Sequence, residues 1–203
     1  MKKHIPNFLT LFRIALVPVF VWMIFFAPFE YHYVWSAFVF IIASITDYYD
    51  GMLARRFEVT SNFGKLMDPV ADKILVISAL IALALPDVNL ITIPVIIIIV
   101  VREVIITLLR YYLASKKFII PAKGLGKLKT VLQLTGIITA LVYKSFLTFF
   151  PAILNDFHKF YIESGFKSYF WIVALITVIS GLSIIRSIRK YNHGNENKFG
   201  ENK

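Results

Sequence analysis

Cysteine is absent from the chain, which excludes disulfides and thiolate-bound metals. Histidine is almost as scarce. His4, His32, His158 and His193 are scattered over 203 residues, without the short spacings that imidazole ligation of a metal uses. Each reads as an interfacial or solvated side chain. Acidic residues are few as well, 12 against 22 lysines and arginines, for a formal net charge of +10. That surplus would suit nucleic acid if it formed a patch. Instead the basic residues sit between apolar runs, where they meet anionic headgroups and fix topology. Membrane lipids are therefore expected partners and nucleic acid is not. The plentiful component is apolar, with 58% of residues hydrophobic. A water-soluble fold of this length has too little interior to hide so much apolar surface, so a soluble all-α bundle is the weaker reading.

Hydropathy draws six helical spans, at about 8–27, 33–55, 66–86, 90–114, 126–150 and 168–189. Crossing a bilayer takes roughly 20 residues, and several of these runs are longer, as if their inner ends continued into water. Ala27-Pro28, Pro86-Asp87 and the 116–123 stretch with Pro121 supply the turns. No repeat or second domain is evident. The expected fold is all-α, an integral membrane bundle of six transmembrane helices over 1–190, with a polar tail at 191–203. Met1 to Pro6 leads straight into a span that contains Arg13 and lacks a small-residue cleavage site, so no signal peptide is expected. With the N-terminus in the cytoplasm, all but Lys144, Lys159 and Lys167 of the 22 basic residues fall on the inner side. The positive-inside rule then puts both termini in the cytoplasm.

Four of the scarce carboxylates crowd into one stretch. Asp47-Tyr-Tyr-Asp50-Gly51-Met-Leu-Ala54-Arg55 is followed, after eight residues, by Gly64-Lys-Leu-Met-Asp68-Pro-Val-Ala-Asp72. On a helix, positions 47, 50, 51, 54 and 55 share one face, and 64, 68 and 72 stack on a face of the next helix. The short connection makes the two helices antiparallel neighbours, so the four aspartates converge near the inner membrane surface. Carboxylates this close raise one another's pKa unless a cation neutralises them. An oxygen-only donor set suits a hard cation such as Mg²⁺ or Mn²⁺. Gly51, Ala54 and Gly64 let a bulky ligand approach the backbone, and Arg55 offers a fork for phosphate oxygens. Aspartates merely solvated at helix ends would account for one or two of these residues. Four on matched faces, flanked by apolar helix, mark function.

The pattern D-x-x-D-G-x-x-A-R-x(8)-G-x-x-x-D-x-x-x-D, unbroken from Asp47 to Asp72, resembles the signature of the CDP-alcohol phosphatidyltransferases. The six-span pattern agrees over nearly the whole chain. The resemblance implies that Asp47, Asp50, Asp68 and Asp72 hold two divalent cations, Mg²⁺ or Mn²⁺, across the diphosphate of a CDP-linked lipid. It implies a nucleotide pocket lined by Gly51, Ala54, Arg55 and Gly64 together with Asp47 and Asp50. Asp72 would be the general base on the acceptor hydroxyl, with a role chiefly as a ligand left open. The active site would lie at the cytoplasmic face of a bacterial plasma membrane, in a multi-pass protein. A second copy of the chain, forming a homodimer, is an expected partner.

Three further stretches resemble the phosphatidylglycerophosphate synthase branch of that family. They are Asn7, Thr10 and Arg13 at the start of the first span, Arg102-Glu103 with Arg110 in the fourth, and Gly126-Lys127-Leu-Lys129-Thr130-Val-Leu-Gln133 at the start of the fifth. Arg102, Arg110, Lys127 and Lys129 are a cationic set fit for an acceptor carrying its own phosphate. Lys127 and Lys129 could equally be ordinary positive-inside residues. Arg102 falls well inside an apolar run, where an unpaired charge is costly. Neighbouring helix positions do not face each other, so Glu103 is not expected to pair with Arg102, and the sequence names no other partner for it. The expected substrates are CDP-diacylglycerol and sn-glycerol 3-phosphate, giving phosphatidylglycerol phosphate and CMP. The alternatives are an inositol phosphate acceptor, a divalent-cation transporter, or a lipid-binding scaffold without catalysis.

Overall fold

A computed structural model of the chain describes residues 5–57, 62–115 and 124–200, with side chains described for 11–46, 71–113, 124 and 126–186. Every regular element among the described residues is helical. The order is α1 (Ile5–Phe26), α2 (His32–Phe57), α3 (Asn62–Leu83), α4 (Ile93–Ser115), α5 (Gly124–Phe149) and α6 (Asp156–Gly200). The all-α expectation agrees. The largest difference from the sequence reading is α6, which starts at Asp156 rather than near 168. Asp156 stands in its first turn, where a carboxylate complements the helix N-terminus, and the Lys159 N–H donates to the Asn155 carbonyl at 3.1 Å. Residues 156–167 mix polar and aromatic side chains, so hydropathy alone passes over them. At its other end α6 keeps helical backbone through Gly200, into the polar stretch the sequence set apart.

Among the described residues two helical stretches are long and apolar enough to cross a membrane, Gly126–Phe149 and Asp156–Arg186. Leu11–Phe26 and His32–Thr46 are apolar but shorter. The outward faces say what surrounds them. On α6, Trp171, Ile172, Leu175, Val178, Ile179 and Leu182 are exposed, while Thr177 and Ser180 are buried. On α4, Ile97, Val101, Val104, Ile105 and Leu108 are exposed. A helix in water turns its polar face outward, and contiguous apolar surface of this kind marks contact with lipid or a partner. The chain is membrane-associated.

The chain divides into two compact units. The first, Met1–Ile91 with Leu134–Phe166, holds α1, α2, α3, most of α5 and the start of α6. Here α1 packs on both α2 and α3. The Phe20 and Phe40 rings meet at 5.6 Å in its interior, and Ala37, Ala43, Ala79 and Ala82 are buried, which lets helices approach closely without a large side chain between them. The α3 helix closes in a turn where the Leu90 and Ile91 N–H groups donate to the Leu83 carbonyl at 2.9 and 3.2 Å. Asn89 adopts φ 50° there. Polar bonds cluster around this turn. The Tyr33 hydroxyl donates to Asp87 Oδ2 at 2.7 Å and Lys144 Nζ to the Asp87 carbonyl at 3.3 Å, and Lys144 pairs with Glu163 at 3.7 Å.

The second unit, Thr92–Gln133 with Lys167–Lys203, holds α4, the first turns of α5 and most of α6. Val95, Ile99, Phe170, Val173 and Ala174 build an apolar interior. Into it the sequence puts Lys129, Gln133, Thr177 and Ser180, all buried. A polar interior of this kind needs internal partners, because hydrocarbon offers none.

Candidate active site

In the first unit the helices demanded by the aspartate pattern are formed. Asp47, Asp50, Gly51, Ala54 and Arg55 lie in the C-terminal half of α2, and Gly64, Asp68 and Asp72 in the N-terminal half of α3. Helical backbone keeps 47, 50, 51 and 54 in one phase and 64, 68 and 72 in another. The five Cα steps from Phe57 to Asn62 reach at most about 19 Å, so the two acidic segments belong to adjoining helix ends. The side chains of Asp47, Asp50, Gly51, Ala54, Arg55, Gly64 and Asp68 lie outside the described residues, while Asp72 is described and half-buried. Such a set offers carboxylate oxygens on two short-linked helices and no sulfur or imidazole, a donor set that fits hard divalent cations.

Asn7 and Thr10 lie on α1, with side chains outside the described residues, and Arg13 follows one turn later. Arg13 is 1% exposed, the bulkiest of the fully buried side chains. A guanidinium so far from solvent needs compensating interactions, and Arg13 does interact with its surroundings.

The second unit brings part of the expected cationic set together. Arg102 and Lys129 are each 10% exposed and converge on Glu103, itself 13% exposed. Lys129 Nζ forms an ion pair with Glu103 Oε1, and Arg102 Nη1 donates to the same oxygen at 3.3 Å. The contact between Arg102 and Glu103 corrects the expectation that adjacent residues do not meet. Their Cβ atoms diverge, but both side chains are long enough for the tips to bend to one point. Arg102 Nη2 donates to Ser180 Oγ of α6 at 2.9 Å. Its Nε is buried with no hydrogen-bonding partner among the described residues.

Other members of the set stand apart. Lys127 and Arg110 are exposed, and Arg110 lies eight residues, or about 12 Å, along α4 from Arg102. The Thr130 hydroxyl is turned onto its own helix, donating to the Gly126 carbonyl at 3.2 Å. Gln133 is buried one turn beyond Lys129. The arrangement gathers two cations and one carboxylate in a nearly dry interior, with net positive charge, where an anion binds far more strongly than in water.

A family model described as CDP-alcohol phosphatidyltransferase matches residues 3–179. The chain belongs to the CDP-alcohol phosphatidyltransferase family. Among its relatives, a Rickettsia bellii (strain RML369-C) protein is 33% identical over 93% of this chain and 97% of its own length. One from Salmonella paratyphi A (strain ATCC 9150 / SARB42) is 34% identical over the same shares. A third, from Sodalis glossinidius (strain morsitans), is 40% identical over 70% of this chain and 78% of its own. Each is named CDP-diacylglycerol–glycerol-3-phosphate 3-phosphatidyltransferase. This CDP-alcohol phosphatidyltransferase is a transferase, in a family that generally uses divalent metal.

Sequence reading missed Ser180 and Gly181. Thr177-x-x-Ser180-Gly181 interrupts an otherwise apolar span with small and polar residues on one helix face. That interruption was the available signal. In a membrane helix the ordinary explanation for such a face is helix packing, so the signal was passed over.

Proposed function

We propose that this phosphatidyltransferase transfers the phosphatidyl group of CDP-diacylglycerol to sn-glycerol 3-phosphate, yielding phosphatidylglycerol phosphate and CMP. The observation that carries the acceptor is the trio of Arg102, Glu103 and Lys129, whose side chains are only 10–13% exposed. It holds excess positive charge in a nearly dry setting, which a phosphate-bearing alcohol satisfies and free glycerol, serine or choline does not. The names of the relatives point to the same acceptor.

Asp47, Asp50, Asp68 and Asp72 would hold the divalent pair, Mg²⁺ or Mn²⁺. When bound, that pair supplies neutralisation of the diphosphate and of the departing CMP oxygen. The remaining work falls to the chain's own groups. The Arg55 fork orients phosphate oxygens, and Gly51, Ala54 and Gly64 keep the nucleotide close to the backbone. Asp72 accepts the proton of the acceptor hydroxyl as that oxygen bonds to the phosphatidyl phosphorus. The bond from phosphorus to the bridging oxygen of CMP breaks, and CMP leaves with that oxygen. Arg102 and Lys129 hold the acceptor's phosphate, and Arg110 and Lys127 raise the positive potential around it. Asn7, Thr10 and Arg13 in the first unit, and Thr130 and Gln133 in the second, are further polar candidates for binding substrate. Phosphoryl transfer asks the protein mainly for this alignment and charge balance.

The setting belongs to the same proposal: a multi-pass homodimer in a bacterial plasma membrane, six spans in each copy, both termini and the active site cytoplasmic. The deciding experiment is CMP release from CDP-diacylglycerol by the purified enzyme, with each acceptor offered in turn. Glycerol 3-phosphate is expected to serve, with activity abolished by chelator and restored by Mg²⁺ or Mn²⁺. Preference for inositol phosphate, or for unphosphorylated glycerol, would move the enzyme to another branch of the family.

A further inference from the structure

We propose that Ser180 and Gly181 of α6 are positioning residues for acceptor recognition, seating the Arg102 guanidinium in the orientation that receives the acceptor phosphate. The inference rests on the reading that Arg102 binds that phosphate. It adds a third helix, outside the aspartate signature and the basic stretches, as a determinant of acceptor use.

The seat has two parts. Ser180 Oγ accepts a hydrogen bond from Arg102 Nη2 at 2.9 Å. Beside it, a Cβ at Gly181 would come 3.2 Å from Arg102 Nε and 3.3 Å from its Cγ. Both separations are tighter than a methyl group comfortably takes, so the arginine stem lies against bare backbone because residue 181 has no side chain. Ser180 is 1% exposed, and Gly126 of α5 closes in from another side, a Cβ there meeting Ser180 Oγ at 3.9 Å. The hydroxyl is thus boxed between α4 and α5, with little freedom to serve a different partner.

The chemistry of the seat favours function over packing alone. Small residues on a membrane helix usually let another backbone approach, but the group lodged here is a guanidinium. Serine fixes that group without cancelling its charge, which an aspartate at the same place would do. Glu103 cannot neutralise Arg102 fully, because it is shared with Lys129. Among the described residues the buried Arg102 Nε–H has no acceptor, and it lies on the edge that packs against the bare backbone of Gly181. A guanidinium held at Nη2 by a neutral hydroxyl and at Nη1 by a long, shared contact to Glu103 keeps its charge and spare N–H donors for the two-pronged grip that phosphate favours.

The test measures KM for glycerol 3-phosphate and for CDP-diacylglycerol separately on purified variants. Ser180→Ala is expected to raise the acceptor KM by about two- to tenfold, the worth of one hydrogen bond, with the CDP-diacylglycerol KM unchanged. Ser180→Thr, which keeps the hydroxyl, should restore most of the loss. Gly181→Ala should act in the same direction; if it fails to fold, the Ser180 pair still decides. In an Arg102→Ala background, Ser180→Ala should add nothing, since coupled residues are non-additive. Equal effects on both KM values, or multiplying effects of Ser180→Ala and Arg102→Ala, would overturn the seat. If Arg102→Ala raises the acceptor KM while Ser180→Ala does not, the seat alone falls. If Arg102→Ala leaves that KM at wild type, the acceptor site itself is misassigned and this inference falls with it.

Discussion

In the proposed reaction Asp72 and Arg102 divide the chemistry between them, one acting on a hydroxyl and the other on a phosphate. Asp72 sits half-buried one turn beyond Asp68 on α3, so two carboxylates on one face can differ in role as well as depth. If Asp72 takes the acceptor proton, Asp72→Asn keeps metal and CDP-diacylglycerol binding but loses about 10²- to 10⁴-fold in kcat. Asp68→Asn should instead weaken metal affinity. Steady-state rates across a Mg²⁺ titration separate the two, and parallel loss of metal affinity in both variants would make Asp72 a ligand rather than a base. For Arg102→Ala, one charge-assisted contact is worth about 1.5–3 kcal/mol. That predicts a ten- to hundredfold drop in kcat/KM for glycerol 3-phosphate with CDP-diacylglycerol use nearly intact. Arg102→Lys should recover only part, because an ammonium cannot form the fork. Wild-type kcat/KM in the alanine variant would remove Arg102 from the acceptor site.

At the scale of helices, what could be read from the sequence followed from periodicity, and what could not followed from distance along the chain. The aspartate faces of α2 and α3 were legible because i, i+3 and i+4 spacings mean something only on a helix, and both helices are there. Arg102 was legible because a cation inside an apolar run demands a reason. Its partners were not legible: Ser180 is 78 residues away, and Lys129 looked like one more positive-inside residue. The start of α6 was missed because residues 156–167 are helical without being uniformly apolar. The α3–α4 turn was marked by Pro86-Asp87, but not the left-handed residue within it. Asn89 at φ 50° occupies a region that asparagine tolerates and alanine does not. Asn89→Ala should therefore cost about 1 kcal/mol of stability, and Asn89→Gly little or nothing. Thermal unfolding of the two variants in the same detergent checks this, and equal melting temperatures would mean that the turn relaxes when substituted.

Over the whole molecule, the feature with the widest reach is the length of α6. Forty-five residues of helix extend about 68 Å, more than twice the roughly 30 Å of hydrocarbon in a bilayer. Lys159 and Arg186, 27 positions apart on it, are separated by about 40 Å along the axis. Arg186 is exposed and Lys159 half-buried, and the stretch between them carries the apolar outward face of Trp171, Ile172, Leu175, Val178 and Leu182. If α6 crosses the bilayer as proposed, its two cations lie on opposite sides of the membrane, with Lys159 outside when the basic residues stay in the cytoplasm. The absence of cysteine makes this directly measurable, because a single introduced thiol is the only one in the protein. In intact cells a membrane-impermeant maleimide should label Lys159→Cys, and should reach Arg186→Cys only after the membrane is permeabilised. Labelling of Arg186→Cys alone in intact cells would invert the topology and put the aspartate helices on the wrong face for a cytoplasmic acceptor. Labelling of both without permeabilisation would mean that α6 does not cross, and the six-span arrangement would fall with it.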